Sequence, residues 1–373
     1  MQAVRVTPGT RWVELVEMEE TPPPVNAQVR VAVSQVGLCP MDWAVINGAT
    51  SRYASSSKPI IIGHEMVGRA VELGRDVTSI HLEDLVVVTA RRGCRVCETC
   101  KTGRSDLCFS GLYTERGVYG ADGFMAEYIL EDEINMVAVP MNLHNVAVLV
   151  EPLSLVVKAV SHARIVRRGL PARCGHDTHR WDRVNWAQCK RVLVTGTGAL
   201  GLLSALMLRE AGADVVVYGE SGASSLQSQI ARLAGGEYFS VEDVPLEVLS
   251  DWIGLFDLVL EVSGNPAIPR YLVPLILPNA LVVLLGPPST GPIQSGDDRE
   301  VWRSLAESNS AVLGTGAAGR EHFEGAVEAL SRLVKRFPSL VSQLITHRVP
   351  MVRCEEVFDQ KDSSIIKAVV DVA

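Results

Sequence analysis

The chain has 373 residues, of which 47% are hydrophobic, 21% charged and only 5% aromatic, and its formal net charge is −8. The length suggests two domains, since single cores rarely grow beyond about 250–300 residues, and the composition is that of a globular protein rather than a disordered one. A modestly acidic balance argues against a nucleic-acid or membrane binder; the apolar stretches singled out, 200–208 and 272–285, fall short of the ~20 residues that a membrane span needs.

From the N-terminus, the first ~155 residues read as β-rich, with short alternating or β-branched runs at 3–6, 28–35, 67–71 and 85–88. The opening Met1-Gln2-Ala3-Val4 has no apolar signal core, so a cytoplasmic location is expected. In that reducing compartment, clustered thiols among the eight cysteines suggest metal more than disulfides. Residues 167–188 are polar, irregular and rich in Arg, His and Trp, as suits a crossover loop between domains. From Lys190 strand-like and helix-length segments alternate: 191–195, 199–211, 214–218, then 257–262 and 281–285. Such alternation implies βαβ units and a parallel sheet. The tail carries a helix at 321–337 and strand-like pieces at 344–349 and 365–372. The expected fold class is α/β. A β-rich domain from residues 1–187 and 317–373 is interrupted by a doubly wound parallel-sheet domain at 188–316.

The 191–195 strand runs directly into Gly196-Thr197-Gly198-Ala199-Leu200-Gly201 and an apolar helix. In a GxGxxG turn the first glycine permits the tight bend, the second lets backbone approach a pyrophosphate, and the third lets helix and strand pack closely. The helix N-terminus adds free N–H groups and a positive dipole end. Glu220 lies nineteen residues beyond Gly201, where a carboxylate accepts hydrogen bonds from the adenosine ribose. It would repel a 2′-phosphate, and no arginine follows before Arg232, so NAD is favoured over NADP.

Cys94-x-x-Cys97-x-x-Cys100-x7-Cys108 places four thiols within fifteen residues, enough to close a tetrahedral shell around a structural zinc. A second set is scattered. Cys39 follows a strand, His64 and Glu65 are adjacent, and Glu151 interrupts an apolar run where an unpaired carboxylate is costly. Together Cys39, His64 and Glu151 form a three-ligand zinc site with one open position, although spacing alone does not assemble them. Cys174, His176 and His179 are metal-binding residue types, but in their irregular segment they read as a solvated loop. His81, His144, His162, His322 and His347 stand alone and read as structural.

The stretches Gly63-His64-Glu65, the four-cysteine lobe, Tyr113-Thr114-Glu115-Arg116-Gly117, Leu149-Val150-Glu151-Pro152 and Gly196–Gly201 resemble the zinc-containing medium-chain dehydrogenases. Within them the chain is most similar to the glucose (aldose 1-) dehydrogenase branch. The resemblance implies a GroES-like catalytic domain around a Rossmann domain. It further implies two zincs per chain, the catalytic one on Cys39, His64 and Glu151 with Glu65 beside it. Glu115 would contact sugar hydroxyls, and Ser263, Leu313 and Gly314 would add cofactor contacts. The partners implied are a small alcohol or sugar substrate and a second copy, in a homodimer or homotetramer.

This sequence departs from the family at Cys39-Pro40-Met41-Asp42, where a thioether replaces the usual proton-relay hydroxyl. Thioethers carry no proton, which leaves Asp42, Glu65 or water for the relay and casts Met41 and Trp43 as pocket walls. Positions that align with asparagine in some sugar-oxidising members are Ala90 and Ala317. Two alternatives follow: a dehydrogenase of a cyclitol, amino-sugar or less polar secondary alcohol, and a non-catalytic NAD-binding zinc scaffold.

Overall fold

Valines at alternate positions make one face of Gln28–Leu38 apolar: Val29, Val31 and Val33 are fully buried, with half-exposed residues between them. This is the period-two pattern of a strand lying on a core. In the computed structural model, which describes residues 1–48, 58–285, 299–358 and 364–372, it is the central strand of a seven-stranded sheet. Glu65–Leu73 pairs antiparallel along one edge, while Tyr128–Asp132 and Lys367–Asp371 share the other. Phe124, Met125 and Met136, all fully buried, fill the core beneath it.

The contacts divide the chain into two units: residues 1–154, 317–331 and 345–373, and residues 155–316 and 332–344. The division differs from the expected boundaries, because 155–187 and 332–344 group with the second unit. Side-chain anchoring is the reason. Arg167 donates to the carbonyls of Ala280 and Asn309, and Arg332 pairs with Glu210. The 167–188 segment, expected as a crossover loop between domains, has its own small core: Trp181 and Trp186 are buried and stacked, 5.4 Å between centroids.

The second unit carries six parallel strands. Numbered one to six from Arg191–Thr195 to Ala311–Thr315, they lie in the order 3-2-1-4-5-6. Each is almost wholly buried near the middle of the sheet, as expected where helices cover both faces. Met141–Val166 is long and apolar enough to cross a membrane, and was not among the stretches singled out from the sequence. In the fold 72% of its most apolar window is buried within the protein, which makes it a core helix.

Candidate active site and metal centres

Antiparallel pairing brings three strand ends together. Cys39 immediately follows Gln28–Leu38, and Gly37 pairs with Glu65, the first residue of the neighbouring strand. On the other edge Leu38 pairs with Ala368, so Lys367 also arrives at this end. Cys39 caps the Pro40–Ile46 helix. Its Sγ accepts from the Met41 amide at 3.4 Å, and its own amide donates to Asp42 Oδ2 at 2.9 Å.

The ligand-capable atoms of Cys39, His64 and Glu65 lie within 4.8 Å of one another. Cys39 Sγ is 3.2 Å from His64 Nε2. On the far side of the imidazole, Nδ1 faces Asp42 Oδ1 at 3.4 Å; both atoms are buried and have no hydrogen-bond partner among the described residues. A carboxylate behind a ring nitrogen fixes tautomer and orientation, leaving Nε2 for a metal. Both oxygens of buried Glu65 accept from Lys367 Nζ, at 2.8 and 2.7 Å, and the ammonium also donates to Leu38 O.

Burial pushes the Cys39 thiol up. Burial opposes the His64 imidazolium, but the Cys39 and Asp42 charges outweigh it and hold its pKa well above the ordinary range. Glu151, partly exposed on the first turn of Val150–Val166, is pushed up to about 7 by burial and then by the Glu65 charge. It lies outside the 4.8 Å cluster, so the three atoms brought together differ from the expected set by Glu65 in place of Glu151. Lys367 faces the carboxyl groups of Glu65 and Glu151 and the Cys39 thiol, and His64 faces Asp42 and Cys39, so three carboxyl groups and a thiol meet one ammonium and one imidazole. A divalent cation relieves that imbalance, and the soft sulfur and imidazole donors suit zinc.

The four cysteines of the lobe also converge, their sulfurs all within 4.8 Å. Cys94 Sγ lies 3.9 Å from Cys100 Sγ, and a Cβ on Gly93 would sit 2.4 Å from the Cys100 sulfur. The thiols are driven apart in acidity. The Thr99 hydroxyl and the Cys100 amide bring Cys97 down to about 5, the Ser110 hydroxyl brings Cys108 to about 7, and burial lifts Cys100 to about 12. Sulfurs this close share negative charge poorly without a cation, so the donor set fits a closed zinc shell.

In the second unit, Gly196 bends the chain with φ +106° and Gly198 caps the Ala199–Glu210 helix. Gly201 is obligatory by contact: a Cβ there would lie 2.0 Å from Gly196 O. The backbone at exposed Gly198 has open space. Thr197 Oγ1 reaches Ser221 Oγ at 3.0 Å, tying the turn to the end of the Asp214–Gly219 strand. Ser263 lies against Gly196, Leu313 and Gly314 are on the sixth strand, and Glu220 is exposed just beyond the second. The glycine turn and Ser263, which follow the first and fourth strands, flank the crevice where strand order reverses, the usual dinucleotide site of this topology, while Leu313 and Gly314 lie on the edge strand.

Other expected residues have defined places. Glu115 accepts from Arg91 Nε at 2.8 Å, and the Arg91 guanidinium lies over the Tyr113 ring. Its neighbours Arg116 and Gly117 explain that motif locally: Arg116 faces Glu131 at 3.5 Å, and Gly117, with φ +69°, packs on the Gly63 backbone beside His64. Met41 and Trp43 pack against the core, Trp43 with its ring 5.7 Å from Phe358. Ala90 offers its carbonyl to the Arg116 amide.

Three residues escaped the sequence reading. Lys367 falls inside the strand-like piece 365–372, where nothing in the sequence gives it a role. Glu261 ends an apolar strand, yet it is buried and accepts from Thr195, Ser263 and Gly264. Cys189 carried no motif of its own.

A strand-order reversal bearing a glycine turn, carried on the same chain as a sulfur–imidazole–carboxylate centre, defines a zinc-dependent nicotinamide dehydrogenase. Comparison with known proteins gives the branch. The Alcohol dehydrogenase GroES-like domain matches residues 25–141, and the Glucose dehydrogenase C-terminus matches residues 144–372. A glucose 1-dehydrogenase of Methanocella arvoryzae is 34% identical over 373 residues, covering all of this chain and 99% of that protein. One from Metallosphaera sedula is 32% identical, covering all of this chain and 98% of its own. Among solved structures, Haloferax mediterranei glucose dehydrogenase in complex with NADP, Zn and gluconolactone is 26% identical with a TM-score of 0.87, over all of this chain and 99% of that one. The chain belongs to the zinc-containing medium-chain dehydrogenase family, in its glucose dehydrogenase branch.

Proposed function

We propose that the protein oxidises an aldose at its hydroxyl-bearing C1, passing hydride to NAD. The observation that carries this reading is the meeting of Cys39, His64 and the carboxylates at one end of the sheet, in a chain whose relatives over its full length are glucose 1-dehydrogenases. When bound, zinc supplies a Lewis acid that makes a hydroxyl acidic near neutrality. Cys39 Sγ and His64 Nε2 would hold it, with Glu151 as third ligand, since Lys367 occupies both oxygens of Glu65. Asp42 is a positioning residue: fully buried, it fixes Cys39 through its amide and faces His64 Nδ1 as a charge contact at 3.4 Å. Glu115 would take a sugar hydroxyl on Oε2, because both Arg91 contacts fall on Oε1.

The preference for NAD rests on Glu220, whose exposed carboxylate would meet the ribose hydroxyls and repel a 2′-phosphate. The nearby cation Arg232 is engaged by Ala223 O and the Tyr238 ring. The Haloferax mediterranei enzyme was captured with NADP, so the preference proposed here belongs to this chain's own Glu220. Homodimers or homotetramers would form on the sixth strand, an edge with Val312 exposed. An exposed edge of this kind is a template for pairing with a second copy.

Steady-state assays on zinc-replete protein with D-glucose, D-galactose and a cyclitol, each with NAD and NADP, test the reading. Aldose turnover with kcat/KM at least about tenfold higher for NAD is expected, a difference of roughly 1.4 kcal/mol. Turnover of the cyclitol alone overturns the substrate assignment, and equal use of NADP overturns the role of Glu220.

A further inference from the structure

The segment between the Val150–Val166 helix and the Arg191–Thr195 strand contains a convergence that neither the zinc centre nor the cysteine lobe uses. Ligand-capable atoms of Cys174, His176, His179 and Cys189 all lie within 4.8 Å of one another. Cys174 Sγ is 3.2 Å from His179 Nδ1, and the His176 and His179 rings meet edge to face at 4.7 Å. We propose that these four residues form a third zinc site, closed and structural, that pins this segment onto the second unit.

The donor chemistry selects the metal. Two thiols and two imidazoles in one cluster are the soft and borderline donors that zinc prefers. Zinc–sulfur and zinc–nitrogen bonds of about 2.3 and 2.0 Å place tetrahedral ligands roughly 3.3–3.8 Å apart, so the cluster needs to contract by no more than about 1.5 Å. On binding, each thiol releases its proton to solvent and the imidazoles bind neutral, so two thiolates balance the dication. Four protein ligands leave no open position, which excludes a catalytic role.

The backbone is arranged to bring the ligands together. Gly175, with φ +77°, turns the chain between Cys174 and His176, and the short helix Asp177–His179 then returns His179. Cys189 arrives from ten residues further on with φ +59°, a left-handed conformation uncommon for a residue with a Cβ. Strain of this kind persists where surrounding structure enforces it, and it concentrates at ligand sites. Apart from these ligands the segment is held by the stacked Trp181–Trp186 pair, faced by Arg164 and Lys190, by carbonyl contacts from Arg164 to Trp181 and Arg183 and from Lys190 to His179, and by the Arg173–Asp257 ion pair at 3.5 Å. Asp257 also accepts the Arg191 amide at 2.9 Å, so the segment is tied to the start of the strand that leads to the dinucleotide turn. A lobe with so small a core is the kind that a metal staple stabilises.

The test is zinc content by mass spectrometry on the full-length enzyme, combined with cysteine labelling. Wild type is expected to hold three zincs per chain. His176→Ala, an exposed position whose loss leaves the core untouched, is expected to hold two, and so is Cys94→Ala, through loss of the separate lobe. In the wild type, Cys189 is exposed, and bound metal is expected to protect it from iodoacetamide, with labelling rising at least about tenfold after a chelator is added. Two zincs in wild type, with His176→Ala unchanged, overturns the proposal. So does a Cys189 that stays unlabelled after chelation and reacts only after reduction, the signature of a Cys174–Cys189 disulfide. Neither outcome bears on the substrate assignment, which is read from turnover.

Discussion

Replacing Lys367 with methionine isolates the ion pair behind the zinc centre. Lys367 and Glu65 are 3% and 1% exposed in their side chains, and the ammonium holds both carboxylate oxygens and the Leu38 carbonyl. Methionine keeps the length and apolar stem but leaves a buried carboxylate without a counter-charge. Removing one partner of a buried pair costs about 3–5 kcal/mol, because the remaining charge is uncompensated. In a unit of this size each kcal/mol lowers the melting temperature by about 2–4 °C, so a fall of roughly 10 °C is expected. Differential scanning calorimetry of Lys367→Met, Glu65→Gln and the double variant provides the assay. The double variant is expected to recover at least half of the loss, since a neutral amide beside methionine has no charge to strand. Zinc at the catalytic centre is expected to be retained in Lys367→Met, because a Glu65 freed from its ammonium adds a carboxylate donor beside Cys39 and His64. A loss below about 1 kcal/mol in the single variant would refute the reasoning, for it would mean that the pair is solvated.

Three further outcomes follow from the same geometry. Glu151→Gln is expected to lose the catalytic zinc while the cysteine-lobe zinc remains, whereas Glu65→Gln keeps both; metal analysis of the two variants decides which carboxylate is the ligand. Gly201→Ala puts a Cβ 2.0 Å from Gly196 O, so KM for the cofactor should rise at least about tenfold with zinc content unchanged; an unaltered KM contradicts the turn's role. Glu131 is buried, a cost to its charge that is outweighed by Arg92 at 2.5 Å and by Arg116, so its pKa is lowered. A lowered carboxylate pKa contributes stability that is present above the unfolded value of 4.5 and lost as pH falls through the folded one. Denaturation midpoints should therefore decline below pH 4.5 more steeply in wild type than in Glu131→Gln.

The dinucleotide turn was legible because its chemistry is local. Gly196 to Gly201 is a contiguous motif, and the strands on either side have runs long enough to read. The cysteine lobe was legible for the same reason. The zinc centre was not, since Cys39, His64 and Glu151 are separated by sheet pairing that no spacing encodes, and the resemblance to a family supplied the set. Lys367 shows the limit most clearly. A single lysine within an apolar run carries no spacing signal, and only the pairing of Leu38 with Ala368 places it against Glu65. Cys189 was invisible for a related reason: ten residues and a left-handed turn separate it from His179, so the Cys174–His179 run read as loop. The contact division falls at residues 154–155 rather than at 187, and Arg167 reaches carbonyls more than a hundred residues away.

The central claim is that Cys39 and His64 hold the metal that makes this chain a sugar dehydrogenase. It is tested most directly by comparing wild type with Cys39→Ala in the oxidation of D-glucose by NAD, with the product identified and zinc counted in the same samples. Wild type is expected to form lactone and NADH in equal amounts. The variant is expected to lose a single zinc and to fall in kcat/KM by roughly 10³-fold or more, the several kcal/mol that a Lewis acid supplies. A variant that keeps wild-type turnover, or a zinc-replete wild type that oxidises no aldose, would contradict it.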